Sequence, residues 1–395
     1  MVQAASPKKN IVTIGASSGV LGAALQWQTE TEALRTHRFI MVDEKSHYNF
    51  VYAFPRACVK TGFEKELFVP YDNLFGGDDQ VGKVVHARVV AIHEHHIELD
   101  RSVPEFGTRI DFEYLIYAAG ATIPPPGRFS ATYTKTDGIA MLKKYQQVIR
   151  EAKRPIIIGG GAVGLELASE IKEHFPEKHV TLIHSRSRYM AKYKESVDRM
   201  TYNVLRKHGV RQILGDRVIL PENGFPLKVE PLQIRTKNGK VIEGDLAITC
   251  IGMIPNSQLL SDFSSESINK HSGFVKVKDT LQIQDDRYPH IYAVGDVIDH
   301  TDVKTGHFAW LQGVAALENI VKSIKGEAPG PYKSKNVALV KLILGDKDAV
   351  MQTNVLGPVV ALGSWISGRS IPHNVYANLV WEWMKTPLDG QNADL

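Results

Sequence analysis

The chain has 395 residues, of which 43% are hydrophobic and 23% are charged, and its formal net charge is +4. This length predicts two or three domains, and the composition is that of an ordinary soluble globular protein. The small net charge is spread along the chain, so no specific nucleic-acid partner is expected. The two cysteines, Cys58 and Cys250, form no C-x-x-C pair. Neither a disulfide framework nor a cysteine-ligated zinc site is therefore expected, and a reducing compartment is the default.

The first predicted element is a strand, a glycine-rich turn and a helix over Asn10 to Leu25, N-I-V-T-I-G-A-S-S-G-V-L-G-A-A-L. Gly15 takes the first place of a G-x-G-x-x-G pattern, while Ser17 and Val20 replace its second and third glycines. Ser17 is small enough for a phosphate to approach closely, and its hydroxyl can donate to it. The pattern predicts a dinucleotide site in spite of Val20.

Two features near this turn support that prediction. Either Gly19 or Gly22 is expected to provide the close helix–strand contact that the third glycine usually provides. The next predicted strand, Arg38 to Val42, is followed by Asp43, and a carboxylate at this tip can accept hydrogen bonds from ribose hydroxyls. The spacing from Gly15 is longer than usual and predicts a longer first helix. A solvated strand end is the alternative for Asp43.

Alternating segments then predict strands at Val84 to Ile92 and His96 to Leu99. The segment H-E-H-H, which begins at His93, invites a metal interpretation. In a continuous strand, however, His93 and His95 share one face and His96 lies on the other. A solvated hairpin is therefore expected, and no metal site is predicted in the chain.

The second glycine turn is the strongest motif. Arg154 to Lys172, R-P-I-I-I-G-G-G-A-V-G-L-E-L-A-S-E-I-K, predicts a buried strand, a turn and a helix. Gly159 allows the tight turn, Gly161 lets the backbone approach a pyrophosphate, and Gly164 lets helix and strand pack closely. A turn without a ligand is the alternative. Two such units predict two dinucleotides, and a flavin with a nicotinamide cofactor is the natural pair because one passes hydride to the other.

The strand after this turn ends in I-H-S-R-S-R, so His184 stands where NAD-preferring enzymes often have an acidic residue. Without a carboxylate there, a 2′-phosphate is not repelled, and Arg186 or Arg188 can bind it in a bidentate manner. NADPH is therefore predicted as a donor alongside NADH.

The segment from Pro331 predicts alternating strands and then an amphipathic helix over Ile371 to Met384. Trp365, Trp381 and Trp383 can rest on a membrane surface where a quinone is taken up, or the helix packs on its own domain. The N-terminus leaves no room for a signal-peptide core. A soluble, cytoplasmic protein is expected, in peripheral contact with a membrane through this segment, as a monomer or homodimer.

Several segments resemble motifs of one protein family, and they occur along this chain in the same order as in that family. L-I-Y-A-A-G-A-T resembles the "ATG" strand of the two-dinucleotide flavoprotein reductases, Ile248 to Asn256 their second crossover, and Ile291 to Asp299 their flavin-binding "GD" box. More narrowly, His47 to Ala57 and Phe175 to Ser185 resemble the AIF-like branch. That branch includes the apoptosis-inducing factor homologues also called ferroptosis suppressor protein 1 and their fungal relatives. The likeness covers roughly Asn10 to Lys325.

The resemblance implies an α/β fold with two Rossmann-like dinucleotide-binding domains and a small α+β C-terminal domain. In this fold the NAD(P) domain interrupts the FAD domain. The implied boundaries are 1–126 and 266–330 for the two parts of the FAD domain, 127–265 for the NAD(P)H domain, and 331–395 for a C-terminal cap.

The resemblance also implies individual roles. The residues that it implies for FAD binding are Gly120 of the ATG strand, Gly295 and Asp296 of the GD box, Arg56 near the flavin, and Trp310. Glu166, after the last glycine, points toward the nicotinamide, and either His307 or Lys304 takes the place of the lysine that protonates an acceptor. The alternatives are a surface salt bridge for Arg56, a surface helix residue for Glu166 and a core residue for Trp310.

The absence of a cysteine pair decides the expected electron path. Disulfide reductases of this fold place two cysteines beside the flavin, whereas Cys58 stands alone here and Cys250 lies in an apolar strand. The predicted function is an FAD-dependent NAD(P)H oxidoreductase that passes hydride from NAD(P)H to FAD and on to a quinone-type or other small acceptor. The alternatives are a flavin-dependent tailoring oxidase acting on a small metabolite and a redox-gated interaction protein of a death pathway.

Overall fold

The computed structural model describes residues 7–129, 133–334, 339–354, 358–368, 371–372 and 374–387. In chain order, the strands of these ranges are β1 Lys9–Ile14, β2 His37–Asp43, β3 His47–Asn49, β4 Phe68–Pro70, β5 Gly82–His86, β6 Val89–Ile92, β7 His96–Val103, β8 Gly107–Asp111, β9 Tyr114–Tyr117, β10 Ala121–Thr122, β11 Pro155–Ile158, β12 Thr181–Ile183, β13 Arg211–Ile213, β14 Leu232–Arg235, β15 Val241–Gly244, β16 Leu246–Thr249, β17 Ile254–Pro255, β18 Val275–Lys276, β19 Ile291–Ala293, β20 Ile298–Asp299, β21 Val340–Ile343, β22 Ala349–Asn354 and β23 Val359–Leu362. The helices are α1 Ser18–Trp27, α2 Phe54–Ala57, α3 Lys135–Glu151, α4 Ala162–His174, α5 Glu195–Lys207, α6 Gln258–Phe263, α7 Gly306–Ile324, α8 Ser364–Ser367 and α9 Ala377–Trp383.

The first glycine turn belongs to a parallel five-stranded sheet in the order β19-β9-β1-β2-β5. Ile11 and Val12 of the central strand β1 are both fully buried although they face opposite sides, as expected when a parallel sheet is covered on both faces. Strand β19 comes from after the second glycine unit and pairs with β9. The chain therefore leaves this unit and returns to it, which confirms the predicted fold class.

The second glycine turn belongs to a parallel four-stranded sheet in the order β13-β12-β11-β16. The chain passes between the two units at β10 and β17, which pair with each other antiparallel. Asn256 ties this crossover together, because its Nδ2 donates to Ala119 O at 2.9 Å and its Oδ1 accepts from Thr122 at 2.8 Å. The four domain boundaries given above remain a prediction.

The structure departs from the sequence-based prediction at several element bounds. The long spacing between Gly15 and Asp43 does not come from a longer helix, because α1 ends at Trp27 and a turn with a short 3-10 helix, Ala33–Arg35, fills the interval. The single strand predicted at Val84 to Ile92 is two strands, β5 and β6, which belong to different sheets.

The C-terminal segment forms an antiparallel sheet, β21-β22-β23, followed by α8 and α9. Trp381 of α9 is 4% exposed, its Nε1 donates to Glu66 O at 2.8 Å, and Lys135 Nζ lies 5.1 Å from its ring centroid. Helix α9 is therefore packed on the body of the protein through Trp381, while Trp365 of α8 is 73% exposed. Across the described ranges, no helix is long and apolar enough to cross a bilayer.

Candidate active site

The two glycine turns have the same backbone geometry. Gly15 has a φ of +94° and Gly159 a φ of +120°, values that favour glycine. A Cβ atom would lie 2.5 Å from Ala118 O at Gly15, and at Gly159 it would overlap with Cys250 O. In each unit the turn therefore passes directly over the end of the neighbouring parallel strand, β9 in one and β16 in the other. Any side chain at these two positions would displace the turn.

The tip of the second strand holds the turn in each unit. Asp43 Oδ2 accepts from the Ala16 amide at 2.7 Å, and its Oδ1 accepts from the Lys45 amide at 2.8 Å. Burial is the largest influence on this carboxyl group and raises its pKa, while the two amides oppose the rise. In the second unit, Nδ1 of His184 accepts from the Gly160 amide at 3.1 Å. An imidazole thus occupies the place that a carboxylate has in the first unit.

The start of the helix differs between the units. In the second unit a Cβ at Gly164 would overlap with Gly159 O, so α4 begins in direct contact with its own turn. In the first unit Val20 is buried at the equivalent place. Gly19 and Gly22 do not take over a contact with their own strand, contrary to the prediction.

Both glycines instead let α1 approach α7. A Cβ at Gly313 of α7 would overlap with Gly19 O, and a Cβ at Gly22 would lie 2.9 Å from the ring of Trp310. Trp310 is therefore a helix-packing residue between Gly22 and Trp383 of α9, whose ring centroid lies 5.0 Å away. The core alternative describes Trp310 better than the predicted flavin contact.

A cavity of about 570 Å³ runs from the first glycine turn to the crossover. This volume lies in the range of cofactor clefts in proteins. Its wall combines residues of the turn, of the β2 tip and of the crossover, among them Gly15, Ser17, Asp43, Glu44, Lys45 and Gly120. Four of the predicted residues, Gly15, Ser17, Asp43 and Gly120, therefore meet around one space, although they are spread over more than 100 positions in the chain.

A smaller cavity of about 50 Å³ adjoins the first. Its wall contains Ser17, Gly19, Gly295, Asp296 and Gly306. The two cavities have Ser17, Gly120 and Arg128 in common. The amino end of α1 thus faces a space that continues toward the GD box, and amide groups at a helix start attract anions such as phosphate.

Arg128 lies where the two cavities adjoin, and it was not among the site residues predicted from the sequence. Its Nη1 donates to Ala121 O at 2.7 Å, and its Nη2 lies 3.5 Å from Asp296 Oδ2. A Cβ at Gly120 would lie 2.8 Å from Nη1, so the glycine makes room for the guanidinium. The only sequence signal was its position directly after Gly127, at the end of the proline-rich crossover.

Two tyrosines in the segment from His47 to Ala57 were also not selected from the sequence. The Tyr48 hydroxyl lies 2.8 Å from Ser18 Oγ, and Tyr52 lines the smaller cavity. A Cβ at Gly306 would overlap with the Tyr52 hydroxyl, so the glycine lets this hydroxyl lie against the start of α7. Loss of water around the hydroxyl groups raises the pKa of both phenols, although Tyr52 as a whole residue is 44% exposed, so both stay protonated and can act as hydrogen-bond donors.

Arg56 is placed differently from the prediction. Its Nε donates to Glu170 Oε1 at 2.9 Å, and its guanidinium lies 3.3 Å from Asp346 Oδ1. The side chains of Arg56 and Glu170 are each 2% exposed, so the pair is buried and is not the surface salt bridge considered as an alternative. Arg56 does not belong to the wall of either cavity.

Glu166 lies on the same helix, one turn before Glu170. It is half-buried, and its Oε1 accepts from the Ile343 amide of β21 at 3.1 Å. Burial raises the pKa of Glu166 to about 8 and that of Glu170 to about 7. Carboxyl groups in this range can exchange a proton near neutral pH, which a general acid requires. The alternative of a surface helix glutamate is therefore wrong for Glu166.

The two candidates for the acceptor-side acid differ in exposure. Lys304 Nζ donates to Ile298 O and lies 5.2 Å from the Phe274 ring centroid, and burial lowers its pKa. His307 is exposed in the first turn of α7, next to Gly306 of the smaller cavity. Neither residue is part of a cavity wall, but only His307 is open to solvent there.

The two arginines after β12 also differ. Arg188 Nη2 donates to Tyr193 O at 2.9 Å and is thereby used in holding its own loop. Arg186 is exposed, and its backbone carbonyl accepts from Gly215 at 2.8 Å, so its position is fixed while its side chain faces solvent. Of the two, Arg186 is better placed to meet a phosphate.

Both cysteines are free thiols. Burial raises the pKa of Cys58 well above its usual range and that of Cys250 to about 12, and the neighbouring Cys250 adds to the rise at Cys58. The thiolate is the reactive form of cysteine, and a raised pKa disfavours it.

The histidine segment forms the solvated hairpin that was expected, but strand alternation does not continue through its turn. Residues 93–95 form the turn between β6 and β7, which brings the rings of His93 and His96 into a stack with centroids 4.2 Å apart and planes 8° apart. Glu98 Oε1 lies 3.1 Å from His93 Nε2, so three possible metal ligands come together. Because the two rings are nearly parallel, their nitrogen lone pairs do not point at a common centre.

Comparison with known proteins gives one family. The family described as "Pyridine nucleotide-disulphide oxidoreductase" matches residues 9–313. Human ferroptosis suppressor protein 1 is 31% identical over 351 residues, which cover 87% of this chain and 88% of that protein. Fe-regulated protein 8 of Mycosarcoma maydis is 31% identical over 350 residues, 83% of this chain and 84% of that protein.

A solved structure shares the whole fold. The sulfide:quinone oxidoreductase from Aquifex aeolicus superposes with a TM-score of 0.72, and the match covers 98% of this chain and 94% of that chain. Its sequence is 16% identical, so this likeness concerns the fold. The likeness supports the fold with two dinucleotide-binding units in one chain.

Proposed function

The chain belongs to the pyridine nucleotide-disulphide oxidoreductase family, in the branch of ferroptosis suppressor protein 1 and the AIF homologues, and on that premise we propose that it reduces a quinone-type acceptor directly from its flavin. It is an FAD-dependent NAD(P)H oxidoreductase. The further proposal concerns the acceptor and the electron path. The observation that carries it is that Cys58 and Cys250 are not joined in a disulfide, and that loss of solvent around them raises the pKa of both thiols.

The residues around the two cavities suit FAD. The amide groups at the start of α1 and the guanidinium of Arg128 are placed to neutralise a pyrophosphate. Asp43, at the other end of the larger cavity, offers its remaining lone pairs to a ribose, and Asp296 does so to the ribityl chain. When bound, FAD supplies the hydride chemistry, accepting electrons from NAD(P)H and passing them to an acceptor.

The second unit is the proposed NAD(P)H site. A Cβ at Gly161 would meet no atom within 4 Å, so the start of α4 is open to an approaching pyrophosphate. Arg186, exposed after β12, is the proposed partner of a 2′-phosphate. Glu166 would hold a proton at the base of this unit, since its raised pKa of about 8 keeps it largely protonated at neutral pH.

The electron path would not use a protein disulfide. A relay needs a thiolate that attacks or accepts, and burial keeps both Cys58 and Cys250 in the thiol form. A quinone accepts electrons from a reduced flavin without such a relay. Tyr52, which is 44% exposed at the smaller cavity, is the proposed hydrogen-bond donor toward an acceptor that approaches from solvent.

Membrane contact is part of the same proposal. Trp365 is 73% exposed and its neighbour Ile366 48% exposed on α8, whereas Trp383 is 37% exposed and Trp381 is buried. Aromatic and aliphatic side chains of this kind bind at the edge of a bilayer, where a lipid-soluble quinone is found. We propose a cytoplasmic monomer or homodimer that touches a membrane through Trp365.

The test is turnover with a ubiquinone analogue, in wild type and in the variant carrying both Cys58→Ser and Cys250→Ser. The proposal expects NADH or NADPH oxidation that depends on the quinone and survives both substitutions. A variant that keeps its flavin but loses turnover would contradict the direct path. Reoxidation only by oxygen or by a small metabolite would favour a tailoring oxidase instead.

A further inference from the structure

We propose that His184 is a positioning residue that holds the glycine turn of the nicotinamide unit as an uncharged hydrogen-bond acceptor, and that this lets one site take both NADH and NADPH. The inference rests on the proposed role of the second unit in NAD(P)H binding. It assigns to His184 a task that a carboxylate performs in the first unit.

The two units can be compared position by position. Ala16 and Gly160 are each the second residue of their turn, directly after Gly15 and Gly159. The amide of Ala16 donates to Asp43 Oδ2 at 2.7 Å, and the amide of Gly160 donates to His184 Nδ1 at 3.1 Å. The tip of the second strand therefore satisfies the same backbone amide in both units, with a carboxylate in one and an imidazole in the other.

The imidazole is held in a fixed orientation. The His184 ring stacks on Tyr189, with centroids 5.6 Å apart and planes 27° apart. A Cβ at Gly160 would lie 2.8 Å from His184 Cγ and 2.6 Å from Tyr189 Cδ1, so both rings lie directly on the turn. This explains why Gly160 is a glycine although its equivalent in the first unit is Ala16.

The hydrogen bond requires neutral histidine. Because Nδ1 accepts from an amide, the ring proton must lie on Nε2, and a doubly protonated imidazolium has no acceptor left. Burial lowers the pKa of His184, and the charge of Arg186 acts in the same direction. Asp198 and the backbone of Arg188 oppose this shift, and the phenol of Tyr189 is the other titratable group on the ring.

The uncharged acceptor has a consequence for the choice of dinucleotide. A carboxylate at this tip accepts well from ribose hydroxyls but repels a 2′-phosphate. His184 supplies the acceptor for the turn without that negative charge, and Arg186 remains exposed two residues further on. His184 can thus stabilise the turn without disfavouring the binding of NADPH.

The need for a neutral His184 also makes dinucleotide binding depend on pH. As the pH falls through the lowered pKa of His184, the ring gains its second proton and the bond to Gly160 is lost. The turn then loses its support, which weakens the binding of both dinucleotides. The Michaelis constant for NADH should therefore rise at acid pH, and that for NADPH should rise less because the imidazolium attracts the 2′-phosphate, while kcat at saturation is affected less.

Three substitutions separate these effects. His184→Asp keeps an acceptor and adds the charge, so the KM ratio of NADPH to NADH should rise at least about tenfold. His184→Asn keeps a non-titrating acceptor near the position of Nδ1, so the ratio should stay near wild type and the acid rise of KM should disappear. His184→Leu removes the acceptor, so both KM values should rise about two- to tenfold with the ratio unchanged.

His179→Asn is the matched control, because His179 is exposed just before β12. This substitution should leave both KM values, their ratio and the acid rise of KM unchanged. The flavin absorbance of each variant reports whether it has folded. An unchanged ratio in His184→Asp, or an acid rise of KM that persists in His184→Asn, would overturn the inference. The wild-type KM profile for NADH, followed from about pH 8 down to the lowest pH at which the flavin stays bound, tests it without any variant, since a profile that is flat over that whole range contradicts it. If neither dinucleotide reduces the wild-type flavin, the proposed function fails instead.

Discussion

The guanidinium of Arg128 lies 3.5 Å from the carboxylate of Asp296, at the place where the two cavities adjoin. Arg128 follows the first crossover and Asp296 belongs to the GD box, 168 positions later. The pair brings a fixed positive and a negative charge to the route between the glycine turn and the start of α7. The positive member can pair with a pyrophosphate, and the negative one can accept from hydroxyls.

Arg128→Leu should weaken FAD binding by about one to two orders of magnitude, because a charge-assisted hydrogen bond to phosphate is lost. Arg128→Lys should recover part of the affinity, since the charge remains but the forked donor geometry does not. The measurement is FAD binding to the deflavinated protein, followed by quenching of flavin fluorescence. Arg109→Leu is the control, because Arg109 is exposed on β8, pairs with Asp111 and is not part of the cavity wall. Equal affinity in Arg128→Leu and Arg109→Leu would contradict the assigned role.

Asp43→Ala should lower both FAD content and stability. The substitution leaves the amides of Ala16 and Lys45 without their acceptor, at a cost of about 1–3 kcal/mol for a buried donor. Glu44→Ala changes the next residue, which lines the same cavity but has no hydrogen bond to the turn. Thermal unfolding of the two proteins should therefore separate them by several degrees. The same melting temperature for both would mean that Asp43 does not hold the turn.

The neighbouring glycines Gly160 and Gly161 should respond differently to alanine. A Cβ at Gly160 meets the rings of His184 and Tyr189, so Gly160→Ala should lower the melting temperature and raise the KM for both dinucleotides. A Cβ at Gly161 meets nothing within 4 Å, so Gly161→Ala should leave stability unchanged and raise KM alone. A loss of stability in Gly161→Ala would contradict the open space at the start of α4.

Glu166→Gln should change how stability depends on pH. The folded protein keeps the Glu166 proton up to about pH 8, whereas the unfolded chain releases it near its usual pKa of about 4.3. Wild-type stability therefore falls between these values as pH rises, and stays level above them. Glutamine cannot ionise and can still accept from Ile343. The variant should melt several degrees higher than wild type at about pH 9 and equally at about pH 4, and parallel melting curves would contradict the raised pKa.

Trp365→Ala should abolish binding to lipid vesicles without loss of stability, since an exposed side chain contributes within about 0.5 kcal/mol. Trp381→Ala should instead destabilise the protein by about 3–5 kcal/mol, because it empties a buried site and frees the Glu66 carbonyl. Co-sedimentation with vesicles and thermal melting separate the two effects. Wild-type protein that stays in the supernatant would remove the proposed membrane contact.

The sequence predicted what depends on neighbouring residues. Gly159, Gly161 and Gly164 and the buried isoleucines before them specify a strand, turn and helix within a short segment, and the structure has these elements. The first unit was predicted in spite of Val20 because its strand, turn and helix also lie within one short segment. Its unusual glycines were assigned to the wrong contact because α7, which they meet, lies almost 300 positions further along.

The residues that were missed or misplaced depend on distant segments. Arg128 owes its role to Asp296, and Glu166 owes its burial to Ile343, 177 positions away. His93 and His96 were assigned to opposite faces because strand alternation was extended through a turn. Periodicity shows which face a residue takes within an element, but it does not show which element will cover that face.

The most direct test of the central claim is an anaerobic reductive titration of the purified protein with NADH and then NADPH, followed by a ubiquinone analogue. The account predicts a flavin absorbance band that is fully bleached by one equivalent of dinucleotide, because a flavin without a redox disulfide stores only one electron pair. The band should return on addition of the quinone. A requirement for a second equivalent would reveal an additional redox centre, and a bleached flavin that quinone does not reoxidise would contradict direct transfer to this acceptor.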